Sequence, residues 1–184
     1  MHTMFNKQIV DIYRNLYVQS GDGITSVSGG GTYVYGALAT ARSTEKTGYT
    51  FKSWNHTYGG GQASTSKNYS FEITGDTYLT ANATGNTYYI HYDPGAAGGS
   101  ATSMPASQSY TYSEGGTTSI TTTRPNWKGH TFLGWSTDRN ASSPSYAPGT
   151  TVAKKTSDLQ LYALWKTNSY TMTNNFYKEK NGDL

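Results

Sequence analysis

The dominant pattern along the chain is an alternation of polar residues with aromatic or aliphatic ones. It is clearest in six stretches, at residues 16–20, 31–36, 77–83, 88–92, 108–112 and 159–165. A period of two places successive side chains on opposite faces of a half-buried strand. Stretches rich in Gly, Asn, Ser and Pro separate these segments and indicate turns. The pattern therefore predicts a mainly β fold with little helix.

An internal repeat groups these strands into two similar modules. The sequence GYTFKSW at residues 48–54 recurs as GHTFLGW at residues 129–135, 81 positions later. A closing strand follows each copy at a matching distance, since Leu79 lies 25 residues after Trp54 and Leu161 lies 26 residues after Trp135. Two motifs with matching spacing rarely arise together by chance, and internal periodicity is the signature of repeat architectures.

The repeat divides the chain into four predicted segments. The first repeat comprises residues 13–84, and the second repeat comprises residues 85–166. Residues 1–12 form an N-terminal segment. Residues 167–184 form either a C-terminal tail or the start of a further strand, because the sequence from residue 168 (NSYTMTNNFY) is similar to the opening strand of a repeat.

Composition and charge exclude several classes of function. The chain has no cysteine, so it has neither disulfides nor thiolate metal sites. Its net charge is only +3 and its Lys and Arg residues are scattered, which predicts no nucleic-acid partner. No apolar run approaches the roughly 18 residues of a membrane helix, so no membrane insertion is predicted. The first ten residues (MHTMFNKQIV) lack the features of a signal peptide.

The two modules resemble a known pair of bacterial repeat families. The second has an opening Y-x-I-x-Y, a Gly-rich turn, R-P-x(3)-G-H-T-F-L-G-W and a final L-Y-A-L-W. It resembles the Listeria–Bacteroides repeat. The first, with SVSGGGTYVYG, GYTFKSW and NYSFEITGDTYLTANA, resembles the divergent form of the internalin B-repeat. Two departures are Asn126–Trp127, which stand as an insertion before the second motif, and Ala83, which stands where the second repeat has its closing Trp165.

The resemblance implies compact β-grasp-like modules that are strung in arrays on exported bacterial proteins. Such arrays act as stalks, spacers or adhesive surfaces, and the resemblance implies neither catalytic residues nor a cofactor. We expect large side chains of the two motifs and of the closing strand to form the structural core: Phe51, Trp54, Phe132, Trp135, Leu161 and Trp165. The Phe and Trp of each motif are three residues apart, which in a regular strand places them on opposite faces.

The residues that could carry chemistry show no catalytic or metal-binding pattern. His2, His56, His91 and His130 lack metal-ligand spacing. Glycoside hydrolysis needs two carboxylates across a cleft, and the pair we weigh for it is Asp93 with Asp138. Modules of this size rarely form such a cleft. The glycines at 29–31 lack the Lys-Ser/Thr of a phosphate loop. We therefore predict no enzyme activity, no metal site and no cofactor.

Three functions remain open from the sequence. The leading one is a non-enzymatic structural or adhesive repeat of a bacterial exported or cell-surface protein, whose partners are neighbouring repeats or other protein subunits. The first alternative is a phage virion component, such as a decoration or fibre protein, that assembles through its termini. The second is a carbohydrate-binding module, because aromatic rings beside polar groups can bind a sugar. The glycan candidates are Trp127, Tyr58, Tyr146 and Asp138.

Overall fold

The computed structural model describes residues 12–173, which form fourteen strands and one short 3-10 segment. The strands are β1 (Tyr13–Ser20), β2 (Ile24–Ser28), β3 (Gly31–Val34), β4 (Leu38–Glu45), β5 (Tyr49–His56), β6 (Gln62–Ser64), β7 (Tyr69–Glu72), β8 (Thr77–Gly85), β9 (Thr87–Asp93), β10 (Gln108–Thr111), β11 (Thr117–Ser119), β12 (His130–Ser136), β13 (Thr151–Ala153) and β14 (Leu159–Thr167), and the 3-10 segment spans Gly95–Ser100. All six predicted strands are present, which confirms a mainly β fold with little helix. The predicted N-terminal segment up to residue 11 and the tail from residue 174 lie outside the described residues.

The described chain divides into two compact units by spatial contacts. The first unit contains residues 12–89, 109–118 and 152–158, and the second contains residues 90–108, 119–151 and 159–173. These units group residues by proximity and do not test where one repeat ends and the next begins along the chain. The boundaries at residues 84 and 85 therefore stay a prediction.

A mixed five-stranded sheet is the centre of the first repeat, in the order β3-β1-β8-β5-β6. The first and last long strands, β1 and β8, lie side by side in parallel, from Leu16 opposite Thr77 to Ser20 opposite Ala81. The other pairs in this sheet are antiparallel. A parallel pair requires a long crossover between its strands, and residues 21–76 supply it. This order is that of a β-grasp sheet, as the resemblance implies.

A second sheet, in the order β2-β4-β7, contributes the other side of the core of the first repeat. Along β4 the buried positions are Ala39, Ala41 and Ser43, which alternate with more exposed residues. These side chains are short, so β4 leaves room for the large indole of Trp54, which belongs to the same cluster. The buried cluster draws on both sheets: Leu16, Ile24, Ala39, Ala41, Trp54, Ile73, Leu79 and Ala81.

The second repeat uses the same central arrangement. Its sheet has the order β10-β9-β14-β12, and β9 and β14 are parallel, from Leu159 opposite Ile90 to Tyr162 opposite Asp93. The motif strand β12 pairs antiparallel with β14, as β5 pairs with β8. The sequence repeat is therefore also a repeat of strand pairing.

Each motif strand contains a bulge one residue after its phenylalanine. In β5, Phe51 lies opposite Ala83 and Trp54 lies opposite Ala81. Three steps along β5 therefore match two steps along β8, and Lys52 is the additional residue. A β-bulge inserts one residue in this way and shifts the alternation of side chains.

The same bulge is present in the second repeat. Phe132 lies opposite Trp165, Trp135 lies opposite Ala163, and the register shifts at Leu133. Because the extra residue cancels the odd spacing, the Phe and Trp of each motif lie on the same face. Their ring centroids are 6.2 Å apart in the first repeat and 5.1 Å apart in the second. The prediction that they point to opposite faces was wrong, since it assumed an unbroken alternation.

Deleting Lys52 tests this bulge. The deletion restores regular alternation and moves either Phe51 or Trp54 to the outer face. We expect a loss of about 3–5 kcal/mol in unfolding free energy, similar to the loss of a buried aromatic side chain. Urea unfolding of the full chain measures it. The matched control is Lys52→Ala, which keeps the bulge, removes only an exposed side chain and should change stability by less than about 0.5 kcal/mol. A deletion no more costly than Lys52→Ala would contradict the role of the bulge.

Candidate functional site

The buried tryptophan of each motif packs against its phenylalanine, but the two indoles differ in hydrogen bonding. Trp54 and Trp135 are both 0 % exposed. The Trp54 Nε1–H donates to the Lys67 carbonyl at 3.1 Å. The Trp135 Nε1 has no acceptor among residues 12–173, and its ring lies 4.9 Å from that of Tyr92. Burial raises the pKa of Tyr92. The Thr121 backbone N–H donates to its hydroxyl and offsets part of this increase, but the pKa stays above its ordinary value.

Aromatic rings continue from Trp135 through the closing strand of the second repeat. Phe132 lies edge-on to Trp165 at 5.5 Å, and the Trp165 Nε1–H donates to the Pro94 carbonyl at 2.9 Å. Trp127 lies edge-on to Trp165 at 5.7 Å. Of the predicted core residues, Trp54, Trp135 and Leu161 are fully buried, whereas Phe51, Phe132 and Trp165 are partly buried.

Trp127 is not an insertion, contrary to the expectation from the sequence. The Tyr49 N–H donates to the Lys46 carbonyl at 3.1 Å, and the His130 N–H donates to the Trp127 carbonyl at 3.0 Å. The two turns are therefore equivalent, and Trp127 occupies the position that Lys46 occupies in the first repeat. Its ring stacks on His130 with 3.4 Å between centroids and 3° between planes. One face of Trp127 is therefore already covered.

The same polar cap follows the closing strand of each repeat. The Asn86 N–H donates to the Gly48 carbonyl at 2.8 Å, and the Thr50 hydroxyl donates to the Asn86 Oδ1 at 2.6 Å. The same bonds join Asn168 to Gly129 at 2.9 Å and to Thr131 at 2.6 Å. Gly48 and Gly129 have φ values of +85° and +78°, which glycine adopts without strain. The glycine and threonine of the motif therefore close each repeat.

The four glycan candidates are divided between the two compact units. Tyr58 is in the first compact unit and the other three are in the second. Tyr146 exchanges backbone hydrogen bonds with Trp135, of 2.8 and 3.0 Å. The Asp138 carboxylate accepts the Asn140 N–H at 2.9 Å within its own turn. Among residues 12–173 no ring contact or hydrogen bond joins the side chains of any two of these candidates, and their role in binding stays a prediction.

Tyr58 belongs to a tyrosine cluster that sequence reasoning missed. Tyr17 and Tyr78 lie opposite each other in the parallel pair, with ring centroids 4.5 Å apart and planes 10° apart. Tyr58 lies edge-on to Tyr78 at 5.0 Å. Tyr17 is 47 % exposed and Tyr58 is 73 % exposed. Desolvation of Tyr78, followed by the electrostatic effect of Tyr17, raises the pKa of its hydroxyl.

The charged groups form isolated pairs on the surface. The Lys46 hydrogen bond to Glu114 lowers the pKa of that carboxyl. Burial raises the pKa of Glu45, but the hydrogen bond and charge of Lys67 and the backbone hydrogen bonds at Glu45 and Phe51 together lower it below its ordinary value. Ion pairs at exposed positions are screened by water and contribute little to stability. Such pairs join Lys46 to Glu114, Lys67 to Glu45 and Arg139 to Asp93.

The titratable residues of the described chain form no cluster of metal ligands. No group of three or more His, Cys, Asp or Glu within residues 12–173 could hold a metal ion. Of the carboxylate pair weighed for hydrolysis, Asp93 accepts hydrogen bonds from Arg139 and from the Gly95 N–H. These bonds give Asp93 a structural role in its turn. Within the same residues, no helix has the length and apolar character needed to cross a membrane.

Replacing each buried tryptophan by phenylalanine separates two contributions to stability, the volume of the indole ring and the hydrogen bond of its Nε1–H. Trp54→Phe and Trp135→Phe both leave a cavity and should each lower the unfolding free energy by about 1–3 kcal/mol. Trp54→Phe also removes the bond to the Lys67 carbonyl, so we expect it to cost about 1 kcal/mol more. Hydrogen exchange of the full chain at residues 49–56 and 130–136 measures each loss locally. Equal losses, or a larger loss for Trp135→Phe, would contradict the assigned hydrogen bonding.

Comparison with known proteins gives two family matches and one partial relative. The sequence profile of the divergent InlB B-repeat domain matches residues 16–86, and that of the Listeria-Bacteroides repeat domain matches residues 88–164. A protein of Evansella cellulosilytica named "Putative Gly-rich membrane protein" is 42% identical over 45 residues, which are 24% of this chain. The matched segment spans only 5% of that protein's length.

No solved structure matches the chain. The family matches cover most of the two sets of strands that share a parallel central pair and a bulged motif strand. The resemblance inferred from the sequence is therefore confirmed. The chain carries two tandem repeat domains, a divergent InlB B-repeat followed by a Listeria–Bacteroides repeat.

Proposed function

We propose that the two repeats act as a non-enzymatic structural spacer and interaction module of a bacterial exported or surface protein. The observation that supports this proposal is that the residues of the duplicated motif have the same structural roles in both repeats. In both repeats its glycine and threonine close the cap, and its phenylalanine and tryptophan fill the core. The residues that the repeats share are therefore accounted for by folding and packing.

The strand order suits a chain that carries tension. In each repeat the first and last long strands are neighbours and run in parallel. Tension applied through the two ends of such a repeat shears the ladder along its length and loads its hydrogen bonds together. Antiparallel neighbours joined at a hairpin would instead open one bond at a time. This geometry favours a mechanical role, in which folded modules maintain a distance.

The comparisons support the proposed location. Repeats of the Listeria–Bacteroides type occur in exported and surface proteins. The partial relative is itself named as a membrane protein, although the match covers a small share of its length. We infer that this chain works outside the cell or on its surface, with neighbouring repeats or other subunits of the same assembly as its first partners.

Light scattering combined with small-angle X-ray scattering on the full 184-residue chain tests the spacer proposal. A compact globule of this length has a radius of gyration of about 16 Å. A spacer predicts a monomer with a clearly larger radius. The matched control is residues 12–173, which retain every described strand and should also be a monomer, with the smaller mass of the shortened chain.

A discrete oligomer would contradict the spacer proposal. If that oligomer became a monomer when residues 1–11 and 174–184 were removed, the chain would be an assembly component that associates through its termini. That outcome would favour a virion or filament subunit. A monomer as compact as a single globule would also overturn the proposal, because it would separate the segments attached to its two ends by only a short distance.

A further inference from the structure

The outer face of the five-stranded sheet carries a row of tyrosines and neutral polar side chains. Leu16 and Leu79 point into the core, so Tyr17 and Tyr78, one residue along, point outward. We define the tyrosine face as the three clustered rings together with the polar residues around them: Tyr17, Tyr58, Tyr78, Asn15, Gln19, Thr32, Thr57 and Thr80. All of these residues lie in the first compact unit.

A groove lies beside Tyr17 on the side away from Tyr78. One face of the Tyr17 ring is covered by the stacked ring of Tyr78. On the other side lie Gly31, the first residue of the neighbouring strand β3, and Gly30 just before it, and neither residue has a side chain. The resulting cavity has a volume of about 400 Å³ and is lined by both glycines, Tyr17, Asn15 and Thr32. Ligand sites typically measure about 300–1,000 Å³.

The free space lies above Gly31 and not above Gly30, where an added Cβ would meet the Leu16 carbonyl oxygen at 3.2 Å and Val18 Cγ2 at 3.3 Å. A Cβ atom added at Gly31 would meet no atom within 4 Å. The second ring of the stack is supported in turn, because Tyr58 lies against Tyr78 and the Thr57 N–H donates to the Tyr78 carbonyl at 2.9 Å. The stacked ring of Tyr78 therefore fixes the orientation of the Tyr17 ring, which forms one wall of the groove. The other face of the Tyr17 ring is available to contact a ligand.

The polar groups of the groove are neutral and partly unused. The Thr32 hydroxyl donates to the Asn15 Oδ1 at 2.7 Å. Within residues 12–173 this leaves the Asn15 amide N–H groups as donors and the Thr32 oxygen as an acceptor. The nearby Asp76 carboxylate accepts the Asn15 backbone N–H at 2.8 Å. No charged side chain lines the groove.

The neutral polar and aromatic side chains that line the groove indicate which class of ligand it can bind. A nucleic acid would require Lys or Arg for its phosphates, and a cationic ligand would require carboxylates or several ring faces around it. A saccharide presents an apolar C–H face for an aromatic ring and hydroxyls for amide and hydroxyl partners. We propose that the groove between Tyr17 and the Gly30–Gly31 backbone binds a neutral saccharide ring, with Asn15 and Thr32 as hydrogen-bond partners. This inference goes beyond the spacer role and does not depend on it.

An array that holds both neutral and charged glycans, probed with the full chain and followed by titration of each hit, tests the proposal. We expect Tyr17→Ala to weaken binding about tenfold or more, because it removes the stacking surface. Tyr17→Phe retains the ring and should bind nearly as well as the original chain. Tyr58→Ala should have a smaller effect, because Tyr58 acts through Tyr78. The matched control is Tyr35→Ala, since Tyr35 is 51 % exposed but does not line the groove.

Amide chemical shifts measured near saturation give a second measurement, which reports where on the chain the saccharide binds. Saccharide binding in the groove should shift the amide signals of Gly30, Gly31 and Thr32 in each variant that still binds. Absence of binding to any neutral glycan would overturn the proposal. So would binding that survives Tyr17→Ala but is lost in Trp127→Ala, which would place the site in the second repeat. Binding only to charged glycans would also overturn it. None of these outcomes bears on the solution mass and radius that test the spacer role.

Discussion

Both repeats depend on burying one tryptophan beside a parallel pair of strands. A module of about 75 residues has a small core, so a single indole occupies much of it. Trp54 and Trp135 are fully buried, and each is accompanied by a phenylalanine from the same strand. The bulge between them makes this possible, because it places residues three apart on one face. Without it, the motif would fill the core with only one of its two rings.

The two repeats meet this constraint with different neighbours. In the first, Ala83 faces Phe51 across the ladder, and the short side chains of β4 cover the indole. In the second, Trp165 faces Phe132, and Trp127 adds a further ring. The polar cap and the parallel pair are the same in both. At the edge of the core, one repeat therefore has a large aromatic side chain where the other has an alanine. The buried tryptophan and the bulge are common to both repeats.

Alternation and spacing in the sequence predicted six strands, the duplication and the mainly β class. They did not predict the bulge, because the period-two pattern assumes one residue per step on both strands. The sheet that contains β4 was also missed, since its inward residues are Ala and Ser, which do not stand out in a pattern of apolar alternation. The tyrosine face requires the register of Tyr17 against Tyr78, residues that are 61 positions apart and that no local pattern connects. The sequence singled out Tyr58 as a glycan candidate, but it did not single out Tyr78 and Tyr17, the rings that form a cluster with it.

Nuclear Overhauser effects between ring protons report directly whether the Phe and Trp of each motif lie on the same face of the sheet. With the bulge in place, ring protons of Phe51 and Trp54 approach each other on one side of the sheet, as do those of Phe132 and Trp135. We therefore expect cross-peaks within both ring pairs in the full chain under native conditions. In a regular strand the two side chains would stand on opposite faces, with the sheet between them. Absence of ring-to-ring cross-peaks in both repeats, in a folded chain with assigned aromatic signals, would contradict the shared bulge and the core built on it.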